Sequence, residues 1–462
     1  MKTKYYYLLA LILLLAVSQS CKKQDEWLNE KTQKSDVSPE TVADYQAILD
    51  NNLEMNQKSY ATAGLSASDN IFVREQDYGS IGEFSFNVYS WAQQPWVAGN
   101  SSQWNNGFSA TGFANICIDG LSQLNNEQDV QYQNVLGQAY FHRAVSTYNL
   151  MNTFCKAYDK NTATNDLGLP LRTTSDVNII VRSRATLKET YEFAISDLIT
   201  AMNLLSDKQA FFQRPTKDAA RGYLAKIYLN MGEFQLAYNE VNEILKTHYT
   251  LLDFNNTMIN YNSTYRFPAN GIGNPEILFY ARSSFDDNVL PRIGSLGIIP
   301  PEFYDQYNEK DLRKKAFFVT RNGYPRFIGC YTGTLYSFSG IATNELFLIR
   351  AECAARLGKA QEALDDLNLL LKNRYVTGNY SDYTLANVAD VLGLVLVERR
   401  KELPFTANIR GEDLRRLNKD PKYHTIIKRI VNGQEISIMP NDSRYTFPIP
   451  DNEIQMSGIP QN

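Results

Sequence analysis

Small and apolar residues recur at helical spacing in two stretches of the chain that share one pattern. The matching positions are Ala225, Gly232 and Ala237 in the first stretch and Ala351, Gly358 and Ala363 in the second. Small residues let two antiparallel helices approach closely, the glycine forms the turn, and larger apolar residues fill the space between the helices. The repeat therefore predicts helix pairs of the tetratricopeptide type.

Further segments with helical periodicity extend this predicted stack of helices. Gly137–Phe154 and Thr186–Leu205 form a split pair, because apolar residues of the second segment share one helix face and a breaker-rich stretch separates the two. Helices from about Trp104 to Leu124 and from Val388 to Leu403 complete the stack. We expect a mostly α protein built from tetratricopeptide-like helix pairs, with little β-structure.

Long connections rich in Gly, Asn, Ser and aromatic residues separate the predicted helices. They span about 60–103, 155–185, 247–302 and 320–342. Loops longer than about 12–15 residues are usually functional or disordered, and the aromatic content of these loops argues against disorder. We therefore expect these loops to be ordered and functional.

The N-terminus has the pattern of an export signal. Lys2 and Lys4 precede an apolar run, Leu8–Val17, which is followed by small or polar residues and then by Cys21. The run is too short to span a membrane, which takes about 20 apolar residues. A cysteine at this junction resembles the lipidated cysteine of bacterial lipoproteins. We expect a lipoprotein signal peptide at 1–20, lipidation at Cys21, and a single domain over 21–462.

Charge and cysteine spacing exclude several classes of protein. The formal net charge is -4, whereas a nucleic-acid surface needs an excess of basic residues. Cys117, Cys155, Cys330 and Cys353 have no CxxC spacing, and the three histidines are far apart in the sequence, so we predict no metal site and no cofactor. Buried thiols are expected, and disulfides between these cysteines stay an open alternative.

The chain carries no sequence signature of catalysis. The triplet Ser68-Asp69-Asn70 occurs in β-lactamases, but the motifs that accompany it there are missing from the mature chain. The charged stretch Val395–Arg416 alternates in sign, which is typical of an ion-pair network between a helix end and the turn that follows. We predict no catalytic residues.

The candidate ligand site comes from the tryptophan-rich run Tyr89–Trp104, which holds three of the four tryptophans. Flat apolar rings beside amides and carboxylates are the mix that small-ligand sites use, and sugars present apolar C–H faces that stack on indoles. Trp104 starts a predicted helix and is expected to pack in the interior. The predicted ligand-binding residues are Trp91, Trp96, Asn100, Asp69, Asn70 and Arg74.

Several segments in a fixed order resemble the SusD/RagB family of outer-membrane nutrient-binding lipoproteins. They are Cys21 after the signal run, WNNGFSATGFANICIDGL, GQAYFHRAVSTYNLMNTF with LGLPL, RPTKDAARGYLAKIYLNMGEFQLA, GNPEILF, FYDQYNEKDLRKKAFF, NELFLIRAECAARLGKAQEALDDLN, VERRKELPF with DLRRL, and the terminal FPIPDNEI. Each segment is weak alone, but their order and spacing across nearly the whole mature chain are specific.

The resemblance implies a protein of four tetratricopeptide-like helix pairs with a loop-rich ligand face. It implies a lipid-anchored protein at the cell surface that captures oligosaccharides for a SusC-like TonB-dependent transporter in the outer membrane, without enzymatic activity. Binding residues in the family come from variable loops, so none is carried over. A peptide-capturing member of the family, a surface glycoside hydrolase and a plain helical scaffold remain as alternatives.

Overall fold

The computed structural model describes residues 38–124, 127–247, 250–283, 289–329 and 331–462. The predicted signal segment 1–20 and the predicted lipidation site Cys21 lie outside the described residues, as does Cys330. These assignments therefore stay predictions.

Helices dominate the described residues. They are α1 (Val42–Leu49), α2 (Ala63–Ser66), α3 (Glu83–Tyr89), α4 (Ser102–Leu121), α5 (Val130–Phe154), α6 (Leu187–Leu204), α7 (Lys217–Met231), α8 (Phe234–Leu245), α9 (Pro301–Tyr304), α10 (Arg313–Phe317), α11 (Thr343–Arg356), α12 (Ala360–Lys372), α13 (Val391–Glu402), α14 (Ile409–Leu417) and α15 (Asp451–Ser457). With 47% helix and 8% strand, the predicted fold class is confirmed.

Six short strands form three antiparallel two-stranded ribbons in the described residues. They are β1 (Ile277–Phe279) with β4 (Ile341–Ala342), β2 (Phe318–Arg321) with β3 (Tyr324–Phe327), and β5 (Ile427–Val431) with β6 (Gln434–Ile438). In the β2–β3 ribbon, Phe318 lies opposite Phe327 and Arg321 lies opposite Tyr324. The strands therefore shape loops rather than build a sheet core.

Local signals in the sequence set where the principal helices begin and end. Thr186 and Glu189 form a capping box at the start of α6: the Glu189 backbone N–H donates to the Thr186 hydroxyl at 3.1 Å, and the Thr186 N–H donates to the Glu189 carboxylate at 2.8 Å. Gly232 ends α7 with φ +80°, and Gly358 takes φ +78° between α11 and α12. Left-handed backbone of this kind favours glycine, so both predicted turns are confirmed.

The long helices stack in sequence order and form what we call the helical body. Helix α4 packs on α5, α5 on α6, α6 on α7, and α7 on α8; α8 then packs on α11, which contacts α12 and α13. The predicted pairs α7–α8 and α11–α12 are confirmed. The predicted split pair is also confirmed: α5 packs on α6, although the irregular stretch 155–186 separates the two helices in the sequence.

A second hydrophobic core lies under the loops, in a region that we call the loop lobe. It draws on residues between Leu65 and Tyr89, between Leu252 and Ala342, and on Phe405. Aromatic rings fill it: Phe267 lies 5.5 Å from Phe254 and 5.4 Å from Tyr331 between ring centroids. This core depends on ring packing because the backbone around it has little regular structure.

The segments that carry the family resemblance converge on a buried ion-pair network. Arg313 donates to Asp311 at 2.7 Å and to Glu398 at 2.6 Å, and it contacts Glu402 at 3.3 Å. Glu402 also accepts from Arg374 at 2.9 Å. All five side chains are almost completely buried, so the network joins α10, α12 and α13 inside the protein.

The same network fixes the loop lobe to the helical body. Arg374, two residues beyond α12, donates to the Glu276 carboxylate at 2.8 Å and to the carbonyl of Leu252 at 2.6 Å. Glu276 in turn accepts from the Tyr331 hydroxyl. The predicted ion-pair role of Val395–Arg416 is confirmed here: Arg399 pairs with Asp413 at 2.9 Å, both buried.

Candidate functional site

Two loops of the lobe meet edge to edge and create an exposed surface. The Phe72 N–H donates to the Ile298 carbonyl at 2.9 Å, and the Ile298 N–H donates back to Phe72 at 2.7 Å. The ring of Phe72 is 46% exposed. This pairing brings the stretch that carries Arg74 beside the stretch that follows Pro291.

The β2–β3 hairpin supplies the other side of this surface. Its turn is Asn322-Gly323, with φ of +52° and +78°, which is the backbone of the tight hairpin turn that Asn-Gly favours. Phe318 and Phe327 are buried on one face of the hairpin, and Tyr324 is half-buried on the other. The turn chemistry and the buried pair together fix which ring points outward.

Arg74 links the two sides. Its guanidinium donates to both carboxylate oxygens of Asp77, at 2.7 and 3.0 Å, and lies 5.3 Å from the centroid of the Tyr324 ring. The hydrogen bond with Asp77, followed by the contact with Tyr324, raises the pKa of Arg74. We define the loop surface as Phe72, Arg74, Asp77, Arg321, Tyr324 and Arg326.

Arg326 is anchored differently from Arg74. It donates to the backbone carbonyls of Ser295 at 3.0 Å and of Gly297. Partial burial lowers the pKa of Arg326, and the nearby positive charge of Arg74 lowers it further. The loop surface therefore combines two partly exposed rings with fixed donors and one paired carboxylate, which is the mix that binds hydroxylated ligands.

A cleft of about 520 Å³ runs along helix α4, between that helix, the segment 170–181 and helix α15. Its lining residues are Trp104, Asn105, Phe108, Ser109, Gly112, Phe113, Ile116, Pro170, Arg172, Ser175, Val177, Ile179, Ile180, Val181, Glu453 and Ser457. We call this the apolar cleft.

Two hydrogen bonds attach the segment that forms the far wall of the apolar cleft to helix α4. Asn115 of α4 donates to the carbonyl of Arg172 at 3.0 Å, and Asp119 accepts from the Ser175 N–H at 2.7 Å. Two residues after Ser175, Val177 is 79% exposed. Val177, Ile179, Ile180 and Val181 make this wall aliphatic, whereas the loop surface combines ring faces with fixed hydrogen-bond donors. We therefore take the loop surface as the candidate ligand site.

The two loop tryptophans predicted to bind a ligand are buried, with relative exposures of 7% for Trp91 and 6% for Trp96. The Trp96 indole N–H donates to the Pro448 carbonyl at 2.6 Å, and the Trp91 indole N–H donates to Ala67 at 3.1 Å. Each ring packs in the interior, Trp96 stacked 5.9 Å from Phe84. The prediction that these indoles face a ligand is therefore corrected: they attach loops to the core.

Asp69 and Asn70 also belong to the scaffold. Asp69 accepts two hydrogen bonds from Arg410, both at 2.7 Å, and contacts Arg400 at 3.1 Å. Burial alone raises the pKa of Asp69, but the charges of Arg410 and then Arg400 hold it well below its usual range. Asn70 is fully buried and donates to the Pro404 carbonyl at 2.7 Å. Their assignment as ligand contacts is corrected for the same reason.

The other two predicted site residues, Arg74 and Asn100, are at least partly exposed, but only one of them is part of the loop surface. Arg74 belongs to the loop surface. Asn100 is exposed just before α4, the helix that carries Trp104 into the apolar cleft. Trp104 is buried as expected, and its indole N–H donates to Glu453 at 3.3 Å.

Phe72, Asp77, Arg321, Tyr324 and Arg326 were not among the predicted site residues. The prediction rested on tryptophan density, but burial removes Trp91 and Trp96 from the surface. The available signal was the Asn-Gly turn at 322–323 with aromatic and basic residues on both sides, which predicts a hairpin that exposes its flanking residues.

The titratable groups of the described residues give no acid–base pair on the loop surface. The carboxyl groups whose pKa is raised, chiefly by burial, lie in the helical body or at its boundary with the lobe; they are Asp197, Glu240, Glu276 and Asp366. Cys117, Cys155 and Cys353 are buried free thiols, as expected, and none of these three forms a disulfide. No group of metal ligands is present among the described residues.

Two family models match different parts of the chain. Residues 26–229 match a SusD-like model described as starch-binding and associating with the outer membrane, and residues 332–462 match the SusD family model. The chain belongs to the SusD/RagB family. Within residues 38–462 as described, no helix has both the length and the apolar character to cross a bilayer.

One relative matched in sequence is a SusD-like protein of Formosa agariphila. It is 31% identical over 145 residues, which is 31% of this chain and 27% of the relative. The match thus spans about a quarter of that relative's length.

Solved structures of SusD proteins share the fold over almost the whole chain. A putative sugar binding protein of Bacteroides vulgatus superposes with a TM-score of 0.74 at 20% identity, covering 92% of this chain and 99% of that one. A SusD superfamily protein of Bacteroides thetaiotaomicron gives 0.71 at 20% identity, covering 91% and 99%. A laminarin binding SusD-like protein gives 0.65 at 18% identity, covering 90% and 97%.

Proposed function

We propose that this SusD/RagB protein captures oligosaccharides and does so on the loop surface. The observation that carries the proposal is the meeting of two loops and the β2–β3 hairpin, which places the half-buried ring of Tyr324 against Arg74, two residues after the exposed Phe72. Ring faces bind the apolar faces of sugars, and the fixed guanidinium and carboxylate groups bind hydroxyls. The resemblance in fold to a laminarin-binding protein supports this proposal.

The wider role proposed is that of a receptor at the cell surface. A lipid on Cys21 would anchor the chain in the outer membrane, and a SusC-like TonB-dependent transporter would accept the captured ligand. The export pattern at the N-terminus and the family membership support this role. Fractionation of cells that express wild type and Cys21→Ala tests the anchor: we expect the variant to leave the outer-membrane fraction.

Calorimetry with a panel of oligosaccharides and peptides tests the binding function. The informative variant is Phe72→Ala, because the ring is exposed and its loss leaves the fold intact. A ring contact is worth on the order of 1 kcal/mol, so we expect the dissociation constant for a bound oligosaccharide to rise about fivefold.

Phe211→Ala is the matched control. Phe211 is 60% exposed and lies beside Arg214, outside the loop surface, so its loss should not change binding. Binding of peptides alone would overturn the proposal in favour of peptide capture. Release of reducing ends during incubation would point to a glycoside hydrolase instead.

A further inference from the structure

Three arginines lie on, or next to, the face of the β2–β3 hairpin that carries Tyr324. Arg321 lies directly opposite Tyr324 in the hairpin register, and Arg326 follows two residues later on the same strand as Tyr324. Opposite residues, and residues two apart, share one face of a ribbon. Arg321, Tyr324 and Arg326 therefore share a face, which Arg74 approaches to within 5.3 Å of the ring centroid.

On the loop surface the three arginines outnumber the one carboxylate, that of Asp77. Asp77 pairs with Arg74 at 2.7 Å, whereas among the described residues neither Arg321 nor Arg326 has a carboxylate within 4.0 Å. Arg321 is exposed, and Arg326 uses one of its nitrogens for backbone carbonyls. Asp286 and Asp287 lie outside the described residues, so this charge balance refers to the described part of the chain.

Glu75, the other carboxylate on this stretch, is already engaged. It accepts from the Gly433 N–H of the β5–β6 turn at 2.6 Å. Arg74 and Arg326 carry like charges, which repel each other. Burial lowers the pKa of Arg326, and the charge of Arg74 lowers it further. An anion bound between these groups would relieve the repulsion.

We propose that the loop surface prefers anionic oligosaccharides, with Arg321, Arg326 and Arg74 binding their carboxylate or sulfate groups around Tyr324. The planar fork of arginine matches both anions with two parallel hydrogen bonds. A surface of one charge sign also raises the local concentration of an oppositely charged ligand. This inference rests on the proposed function, because it names the class of sugar taken by the same surface.

The test compares three hexasaccharides by calorimetry with the full mature chain. One probe is a homogalacturonan hexasaccharide, which carries uronates; the second is a sulfated carrageenan hexasaccharide; the third is neutral laminarihexaose. We expect at least one anionic probe to bind about tenfold more tightly than the neutral probe at low salt. The advantage should shrink as the salt rises from about 10 to 150 mM, because the Debye length falls from about 30 to 8 Å.

Arg321→Gln is the decisive variant, because the side chain is exposed and its removal leaves the hairpin pairing intact. We expect it to weaken the anionic probe about tenfold and the neutral probe by at most about twofold, while Arg321→Lys retains part of the binding of the anionic probe. Arg182→Gln is the matched control: Arg182 is exposed on the segment beside the apolar cleft, and its loss changes the net charge equally.

The outcomes separate this inference from the function on which it rests. Equal binding of neutral and anionic probes, or an unchanged affinity in Arg321→Gln, overturns the anionic preference and leaves oligosaccharide capture standing. An equal loss in Arg182→Gln and Arg321→Gln also overturns it, because the effect is then one of net charge. Failure of every oligosaccharide in the wider panel overturns the proposed function itself. Between the two anionic probes, the tighter one identifies uronate or sulfate as the group bound.

Discussion

In the helical body the backbone forms its own hydrogen bonds, and neighbouring helices then meet through small residues and buried ion pairs. In the loop lobe and its connections, long side chains supply the missing backbone partners. Arg429 donates to the carbonyl of Ser68 at 2.6 Å, Asn70 to Pro404 at 2.7 Å, and Trp96 to Pro448 at 2.6 Å. Buried backbone carbonyls need such partners wherever regular structure is missing.

Aromatic and polar residues of the loops can hold the loops in place instead of binding a ligand. Arg429 lies 3.8 Å from the centroid of the Tyr89 ring and 4.2 Å from that of Trp91 while its guanidinium holds loop carbonyls. An arginine beside two aromatic rings is typical of a ligand site, but here Arg429 holds the loop in place. In the lobe, exposure decides which rings can bind a ligand.

The largest effect is expected where the two regions are joined. Arg374→Ala leaves the carboxylates of Glu276 and Glu402 buried without this cation, and breaking a buried pair from one side costs about 3–5 kcal/mol. Denaturant unfolding measures the loss. If the lobe and the body unfold together in the wild type, the whole transition should shift.

Lys372→Ala, two residues earlier, is the control for this experiment. Lys372 pairs with Asp382 at 2.9 Å, but both side chains are about half exposed. Exposed pairs contribute about 0–1 kcal/mol, so the midpoint should hardly move. Equal shifts for the two variants would contradict the role of the buried network.

Loss of a buried loop indole should destabilise the protein to a similar extent. Trp96→Ala removes a ring packed against Phe84, Phe154 and Phe447. Such truncations cost about 3–5 kcal/mol, and thermal unfolding will show it. An unchanged melting temperature together with lost oligosaccharide binding would restore Trp96 as a ligand contact.

A smaller effect is expected from pH, at a buried histidine of helix α5 that packs against Phe279. Burial lowers the pKa of His142 from 6.5 to about 4, with the charge of Asp50 offsetting part of the shift. Below pH 6.5 the unfolded chain binds a proton that the folded chain does not, so stability falls as the pH falls from 6.5 to 4. The loss should reach roughly 3 kcal/mol.

Chemical denaturation at several pH values tests this expectation. His142→Gln should flatten the stability profile between pH 6.5 and 4, the window of this group. His424→Gln is the control, since His424 is exposed. A profile in this window that is equally steep in wild type and His142→Gln would assign the acid sensitivity to other groups.

The helical body could be predicted from the sequence because each of its signals is local. The Ala–Gly–Ala repeats, the capping box at Thr186 and the charge alternation in Val395–Arg416 each report on residues a few positions away. Even the split pair α5–α6 could be recognised, since helical periodicity survives a long insertion.

The candidate site could be predicted only as a region. Whether Trp96 or Tyr324 faces solvent depends on contacts with residues hundreds of positions away, such as the bond from Trp96 to Pro448 and the contact of Tyr324 with Arg74. Spacing along the chain does not encode these contacts. Arg74, predicted as a ligand contact, lies partly exposed on the loop surface. Its neighbour Tyr324 lies in the predicted loop 320–342, whose rings were not among the predicted site residues.

The most direct test compares a surface ring with a core ring in one titration. Calorimetry of the preferred oligosaccharide is run on Tyr324→Ala and Trp96→Phe, the second of which keeps a ring in the core. We predict that Tyr324→Ala keeps its melting temperature and weakens binding about fivefold or more, while Trp96→Phe lowers the melting temperature and binds like wild type. Full binding in Tyr324→Ala with loss of binding in folded Trp96→Phe would contradict the account.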